Sequence, residues 1–509
     1  MTFELTRRDF IKTGSVGLVC CLLNSYNCHN MKNQTSKHSF PYEDRFGLSD
    51  DDLSKILNIA LSRGGDFSEI YLEYTHFISI VMEEDIIKET TESISTGMGI
   101  RVLSGDMTGY GYTNEFDFEK IKSAALTAAA IASRDDLRSA NPPRLQNNLL
   151  DLYPVLVPVH TQILERKIDL VRRAYSASQK HDPLILKVKA ALAEQLKTVC
   201  VVNSDGLKVR DTRPMTRLIC LAIAEKDGVR ESGYSGGGGR VGMEYFQNQL
   251  TPEEIGANAA REAVNLVRAR PAPAGEMPVV LAPGHSGVMI HEAVGHLLEA
   301  DFIRKKTSIF WNKIGKKVGS DQVTIYDDPT IPLFRGSYNY DDEGTTPQKT
   351  PLILNGVCTG LLHDRLSAGL MGESMNGHGR RQNFSCIPIP RMSNTYLDRG
   401  EYDPNEIIHS VKKGFYAQFY QGGQVEDSGK FTFSVSSGYL IENGRLTAPV
   451  KQATLIGTNI DILKKISMVG SDLQFGLQTG TCGKEGQAAP VTDGCPTVKI
   501  SMMTVGGTS

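Results

Sequence analysis

"RPAPAGEMPVVLAPG" (residues 270–284) separates two kinds of sequence. Prolines 271 and 273, set among small residues, end any regular element. Upstream, helical and strand-like patterns alternate in two similar blocks. Downstream, after one helical stretch, short strand-like runs and Gly-rich turns take over. This reading sets the fold class as α+β. An N-terminal α/β layered domain of two helix-sheet-helix blocks spans 45–272. A β-rich, barrel-like C-terminal domain spans 273–509.

The first block runs from "DDDLSKILNIALS" (50–62), with apolar residues at helical spacing, to the strong helix "FDFEKIKSAALTAAAIASR" (116–134). Between them "SEIYLEYTHFISIVMEED" (68–85) alternates as strands do. "GMGIRVLSGDMTGYGYTN" (97–114) reads as a hairpin turning at "SGD". The second block repeats the plan, from helical "ILERKIDLVRRAYSASQ" (163–179) through strands to "TPEEIGANAAREAVNLVRAR" (251–270). Thr251 caps that last helix, with Pro252 at its first position. The pattern suggests a diverged duplication, each block a sheet covered by helices. Beyond 284, "VTIYDDP", "PLILNGVCTGLL", "KFTFSVSSGYLIENGRL" and "TVKISMMTVGG" read as strands. Past the first helix, only "NEIIHSVKKGFYA" (405–417) looks helical.

Composition narrows the function classes. With 509 residues, a net charge of −3 and 22% charged residues, the chain has no polybasic field for nucleic acid. Nine cysteines without a C-x-x-C pair suggest neither a zinc ribbon nor a disulfide framework. No apolar run is long enough to span a membrane. At the N-terminus "TRRDFIK" (6–12) precedes the apolar "TGSVGLVCCLL" (13–23), the order of a twin-arginine export signal. Residues 1–28 are therefore expected to be that signal and 29–44 a polar linker, placing the protein in the periplasm or outside the cell. Without a working signal it would stay in the cytoplasm. Cys28 is a poor lipid-attachment site, because Asn27 precedes it.

The helical stretch after the boundary carries "HEAVGH" (291–296). It differs from the zinc-protease pattern H-E-x-x-H by one added residue. In an ideal α-helix, residues i and i+5 point about 140° apart, against about 40° for i and i+4. His291 and His296 can share an ion only if the helix, expected from Ser286 to Ala300, is distorted. A π-bulge near Val294–Gly295 would do so. Glu292 stands where a general base would take a proton from water. Catalytic zinc usually takes three protein ligands. By spacing alone the third could be Glu299, Asp301, a distant His or a Cys. His285 precedes the helix and reads as structural. "SGGGGR" (235–240) could form a flexible lip over a cleft. Cys358 and Cys386 read as small buried residues in strands.

Longer strings then converge. "HEAVGHLLEADFIRKKTS" (291–308), "NGHGRRQ" (376–382), "PIPRMSNTY" (388–396), "GGQVEDSGKFTFSVSSGYLIENGRLTAPVKQATLIG" (422–457), "ISMVGSDL" (466–473), "CGKEGQ" (482–487) and "TVGGT" (504–508) resemble the metal-bearing, TldD side of the TldD/PmbA family. Upstream, "YSGGGGRVGMEYF" (234–246) is the clearest piece. The resemblance implies a zinc-dependent peptidase of HExxxH type. It implies one Zn²⁺ held by His291, His296 and Cys482, with Glu292 as general base. A Cys482–Cys495 disulfide would compete with that ligand role. The resemblance further implies unfolded or short peptides as substrates and a metal-free homologue as heterodimer partner, a homodimer being the other option. A non-catalytic peptide-binding or scaffold subunit is the alternative function. His378, Arg380 and Arg381 of "NGHGRRQ" are candidates for oxyanion or substrate contacts.

Overall fold

The computed structural model describes residues 44–132, 138–146, 150–426 and 428–507. The expected export signal (1–28) and all but the last residue of the linker (29–44) lie outside the described residues.

Each N-terminal block supplies a helix, three strands and a helix. The first comprises α1 (Asp50–Ala60), β1 (Phe67–Glu83), β2 (Ile86–Ser104), β3 (Met107–Thr113) and α2 (Phe118–Ala129). The second comprises α3 (Leu164–Gln179), β4 (Ile185–Asn203), β5 (Leu207–Lys226), β6 (Val229–Gly239) and α4 (Pro252–Arg268). Local chemistry fixes the helix starts. Ser49 and Asp52 form a capping box on α1, and Thr251 and Glu254 form one on α4 with Pro252 behind the cap.

The expectation of a separate sheet per block is corrected. The strands pool into one sheet, ordered β3-β2-β1-β4-β5-β6, with the two-residue strand Arg144–Leu145 parallel to β5. The join is β1 against β4, paired antiparallel from Glu69–Asn203 to Glu83–Lys189. Alternation along β1 divides its side chains between two faces. Ile70 and Leu72 pack with α1 and α2, whereas Tyr71 joins Val199, Val201, Val209 and Tyr340 on the other face. That second face therefore meets the C-terminal half of the chain.

The boundary between them is charged and its ion pairs are buried. Arg101 is 1% exposed and lies 2.7 Å from Glu69 and 2.6 Å from Glu343. Arg381 also pairs with Glu69, and Arg213 bridges Asp211 and Asp342 at 2.8 and 2.6 Å. Desolvation opposes each charge, and close opposite partners offset it.

Beyond the boundary, β7 (Gly275–Leu281), β8 (Lys413–Val425), β9 (Lys430–Glu442), β10 (Arg445–Thr458) and β11 (Val498–Gly506) close into a five-stranded barrel in that order, β11 returning to β7. β7 and β8 run parallel, and the other pairings are antiparallel. Closure leaves these strands little open edge. The helical content here exceeds expectation. Besides Pro404–His409, helices cover Arg365–Met371 and Asn459–Lys465. They are too short to show a periodicity.

"SGGGGR" is not a flexible lip. Its glycines are the buried end of β6, paired with β5. Gly238 has φ +151°, and a Cβ there would stand 2.0 Å from the Thr216 carbonyl oxygen. Glycine is required by close backbone approach, not by mobility. Among the described residues, no helix is long and apolar enough to cross a membrane.

Candidate metal centre

The stretch after β7 runs through three windings. Gly287–Ile290 is α-helical, His291–Gly295 is a π turn, and His296–Leu298 is a 3₁₀ turn. The expected continuous helix to Ala300 is corrected, since Glu299 is extended (φ −69°, ψ 128°) and a new short helix begins at Ala300. Ser286 makes no side-chain cap. The π turn is the distortion that the His291–His296 spacing demands. Two contacts hold it. Asn459 Nδ2 donates to the Ala293 carbonyl at 2.6 Å. The Met392 thioether fills the space beside Gly295, where a Cβ would stand 1.8 Å from its sulfur.

The turn brings the two imidazoles together, with ring centroids 5.3 Å apart at 89°. Cys482 reaches them from the hairpin Thr481–Lys484/Gln487–Pro490. Its Sγ lies 3.1 Å from His296 Nε2, across 186 positions of sequence. One donor atom each from His291, His296 and Cys482 falls within 4.8 Å of the other two. Cys482 and Cys495 are both free thiols, so the competing disulfide is not formed. His291 Nδ1 is buried without a hydrogen-bond partner. Two imidazole nitrogens and a thiolate, converging and part-orphaned, fit a borderline-soft divalent ion such as zinc.

Electrostatics agree with that fit. Burial alone would push the Cys482 thiol up, but the two histidines outweigh it and hold it at about 4. Burial likewise opposes charge on His291, yet the thiolate and Glu292 raise it to about 9. His296 is also raised well above its ordinary value, against burial, by Glu299 and the thiolate. At neutral pH the free site is therefore a thiolate between two imidazolium rings. A metal requires neutral imidazoles, so binding displaces their protons. About two protons should be released per ion at pH 7, and affinity should rise with pH at least through about 9, where His291 loses its proton. Calorimetry in buffers of different ionisation enthalpy measures this. Release of no protons would contradict the assignment.

Glu299 and Asp301, open candidates by spacing, stand behind the donors. Glu299 Oε2 accepts from His296 Nδ1 at 3.1 Å and from Lys484 Nζ at 3.0 Å. Burial opposes its charge, but His296 and Lys484 hold it down to about 2. Lys484 also pairs with Asp301 at 2.7 Å. Such outer partners fix ring tautomer and orientation. Glu299→Gln is expected to weaken zinc binding about 10–100-fold, read by competition with a zinc dye. Unchanged affinity would remove Glu299 from this role.

Two of the donors, His291 and Cys482, line a cavity of about 170 Å³ with His285, Glu292, Gln478, Thr481 and Asp493. Glu292 Oε2 is 4.0 Å from His296 Nε2, near the centre but outside the donor set. His285, expected to be structural, thus faces the cavity, while its Nδ1 accepts from the Tyr420 backbone N–H at 3.3 Å. Sequence reasoning missed Asp493, Lys484 and Arg391. Arg391 donates to the Cys482 carbonyl at 2.6 Å. Lys484 and Arg391 lie within "CGKEGQ" and "PIPRMSNTY", the signal that could have found them. Of the "NGHGRRQ" candidates, His378 is fully buried, bonded to Thr350 and facing Asp327. Arg380 and Arg381 line a neighbouring cavity at the charged boundary. None of the three borders the metal cavity. Cys358 is buried in a strand, and Cys386 is half-buried outside one.

A crystal structure from Thermotoga maritima shares this fold, with a TM-score of 0.74 at 23% identity, covering 90% of this chain and 99% of that one. So does TldE from Thermococcus kodakarensis, with a TM-score of 0.72 at 19% identity over 90% and 100%. The sequence matches the PmbA/TldA metallopeptidase domain 1 over 68–132, the central domain over 158–267 and the C-terminal domain over 274–507. The Metalloprotease TldD homolog of Haemophilus influenzae is 40% identical over 468 residues, 91% of this chain and 97% of that protein. The chain belongs to the PmbA/TldD metallopeptidase family.

Proposed function

We propose that the protein is a zinc peptidase acting on unfolded or short peptides. The observation that carries this is the convergence of His291, His296 and Cys482 with Glu292 beside them and outside the donor set. Zinc held by the three donors would keep a position open and supply Lewis acidity to a peptide carbonyl and to water. Glu292 takes the proton from the attacking water and hands it to the leaving amine. Glu299, itself held by Lys484, keeps His296 turned toward the thiolate. A cavity of about 170 Å³ admits a few side-chain or backbone groups, not a folded surface. An extended peptide would run past it on backbone hydrogen bonds, with loose sequence preference along that stretch.

The test is a purified protein, its zinc content and an unfolded peptide. Expected are bound zinc, cleavage arrested by a chelator, and recovery on adding zinc. Bound peptide without cleavage or metal would favour a non-catalytic binding or scaffold subunit. TldE among the structural neighbours motivates a metal-free homologue as partner. Cleavage that appears only on mixing the two chains would support the heterodimer, and full activity of this chain alone would reject it. Export rests on the Arg7–Arg8 motif. A tagged protein retained in the cytoplasm of cells with a working twin-arginine system would reject that placement.

A further inference from the structure

The charged boundary holds more positive groups than its carboxylates can pair. A second cavity, of about 230 Å³, is lined by Lys197, Arg213, Arg240, Arg335, Arg380 and Arg381 against one carboxylate, Asp342. Three of these cations are paired. Lys197 meets Glu73 at 3.0 Å, Arg213 meets Asp211 and Asp342, and Arg381 meets Glu69. The other three, Arg240, Arg335 and Arg380, form no ion pair among the described residues. They are only 4%, 9% and 5% exposed.

Their partners are neutral. Arg240 donates to the Ser337 and Pro214 carbonyls at 2.8 and 3.1 Å. Arg335 donates to the Gly480 carbonyl at 2.7 Å and to Thr481 Oγ1 at 3.3 Å. Arg380 donates to the Met392 and Pro490 carbonyls at 2.5 and 2.9 Å. Buried charges without counter-charges are costly to retain. At Arg335, burial and then Arg217, Arg240 and Arg380 act against the charge and pull it down to about 9. An anion entering the cavity would supply the missing counter-charge, and guanidinium groups suit a carboxylate.

The place of this cavity ties it to the metal centre. Thr481, the residue before Cys482, lines both cavities. The Arg335 backbone N–H donates to Gln478 Oε1, and Gln478 lines the metal cavity. A carboxylate among the arginines would thus belong to a residue close along the peptide to the bond being cut.

On the reading of the chain as a peptidase, we propose that this arginine cavity receives a carboxylate of the bound peptide and makes the enzyme selective for anionic substrates. The carboxylate has two sources, the peptide's own C-terminus or an Asp or Glu side chain.

The test compares one unfolded peptide sequence in four forms: Glu or Gln near the cut, each with a free or an amidated C-terminus. The expected result is a kcat/KM about 10–100-fold higher with the recognised carboxylate than without it, the range for a hydrogen-bonded charge. Loss on amidation identifies the terminus, and loss on Glu-to-Gln replacement identifies the side chain. Arg335→Gln should shrink that ratio toward one, and Arg335→Lys should restore part of it. Melting curves establish that the variants fold. Glutarate gives a second readout that needs no turnover. It should raise the melting temperature of the wild type, and raise that of Arg335→Gln less. Four peptides cut within about twofold of one another, with cleavage still stopped by a chelator, would overturn this proposal and leave the peptidase reading intact. No chelator-sensitive cleavage of any form would instead sink the peptidase reading. Glutarate then decides the cavity, and no thermal shift would overturn anion binding there.

Discussion

Glu292→Gln is expected to lower kcat on an unfolded peptide by about 10²–10⁴-fold, the usual contribution of a positioned acid–base group. Gln keeps the volume and one hydrogen-bonding oxygen but cannot carry the proton from water to amine. Zinc content should stay at the wild-type level, because the Glu292 carboxylate lies outside the three donors. KM should change little, since the effect falls on the transition state. Turnover within tenfold of wild type would remove Glu292 as base. Zinc lost together with activity would make it a ligand instead.

Cys482→Ser is expected to weaken zinc binding by more than about 100-fold, beyond the usual cost of losing an outer-shell partner. The thiol of Cys482 is held at about 4, so a soft anionic donor is ready at neutral pH. A serine hydroxyl offers neither the charge nor the softness. The substitution also removes a thiolate that helps raise both histidines, alongside Glu292 and Glu299. The variant's free site should therefore hold less tightly protonated imidazoles, and fewer protons should leave on metal binding. Cys482→Ser with wild-type zinc affinity would mean that Cys482 is no ligand. Elemental analysis and dye competition on the same preparation read both quantities. Cys495→Ser serves as the control, because Cys495 lies outside the donor set and should keep its zinc.

Much of the site was legible because spacing is a geometric statement. An offset of five from His291 to His296 excludes a regular α-helix as a shared ligand face, and the π turn lies there. Cys482 was legible only through the family resemblance, since nothing local ties a residue 186 positions away to a helix. The outer partners were less visible. Glu299 could be read as a ligand or as a solvated charge, and only the tertiary structure shows it under His296. Asp493 and His285 carry no spacing signal at all.

The fold was legible in kind and not in assembly. Capping boxes and helical spacing mark α1 and α4 directly. The pairing of β1 with β4 joins segments more than a hundred residues apart, and alternation says which face is apolar but not which strand is the neighbour. The turn between β1 and β2 hid for a different reason. Glu84 and Asp85 adopt φ values of 53° and 61°, a conformation that usually advertises itself with glycine or asparagine. The stretch 68–85 thus read as strands without its hinge point.

The buried ion pairs between β1–β2 and the C-terminal half set how material can reach the cavity. Glu69 and Arg101 on one side are locked to Arg381 and Glu343 on the other, with all four side chains at most 1% exposed. Parting the halves would strand several charges in a poorly solvated cleft before water could fill it, a step that costs about 3–5 kcal/mol for each broken pair. Clam-like opening between these two faces is thereby costly. On the peptidase reading, peptide would thread into place and fragments would slide out, which makes a chain end or a slack loop the natural point of attack.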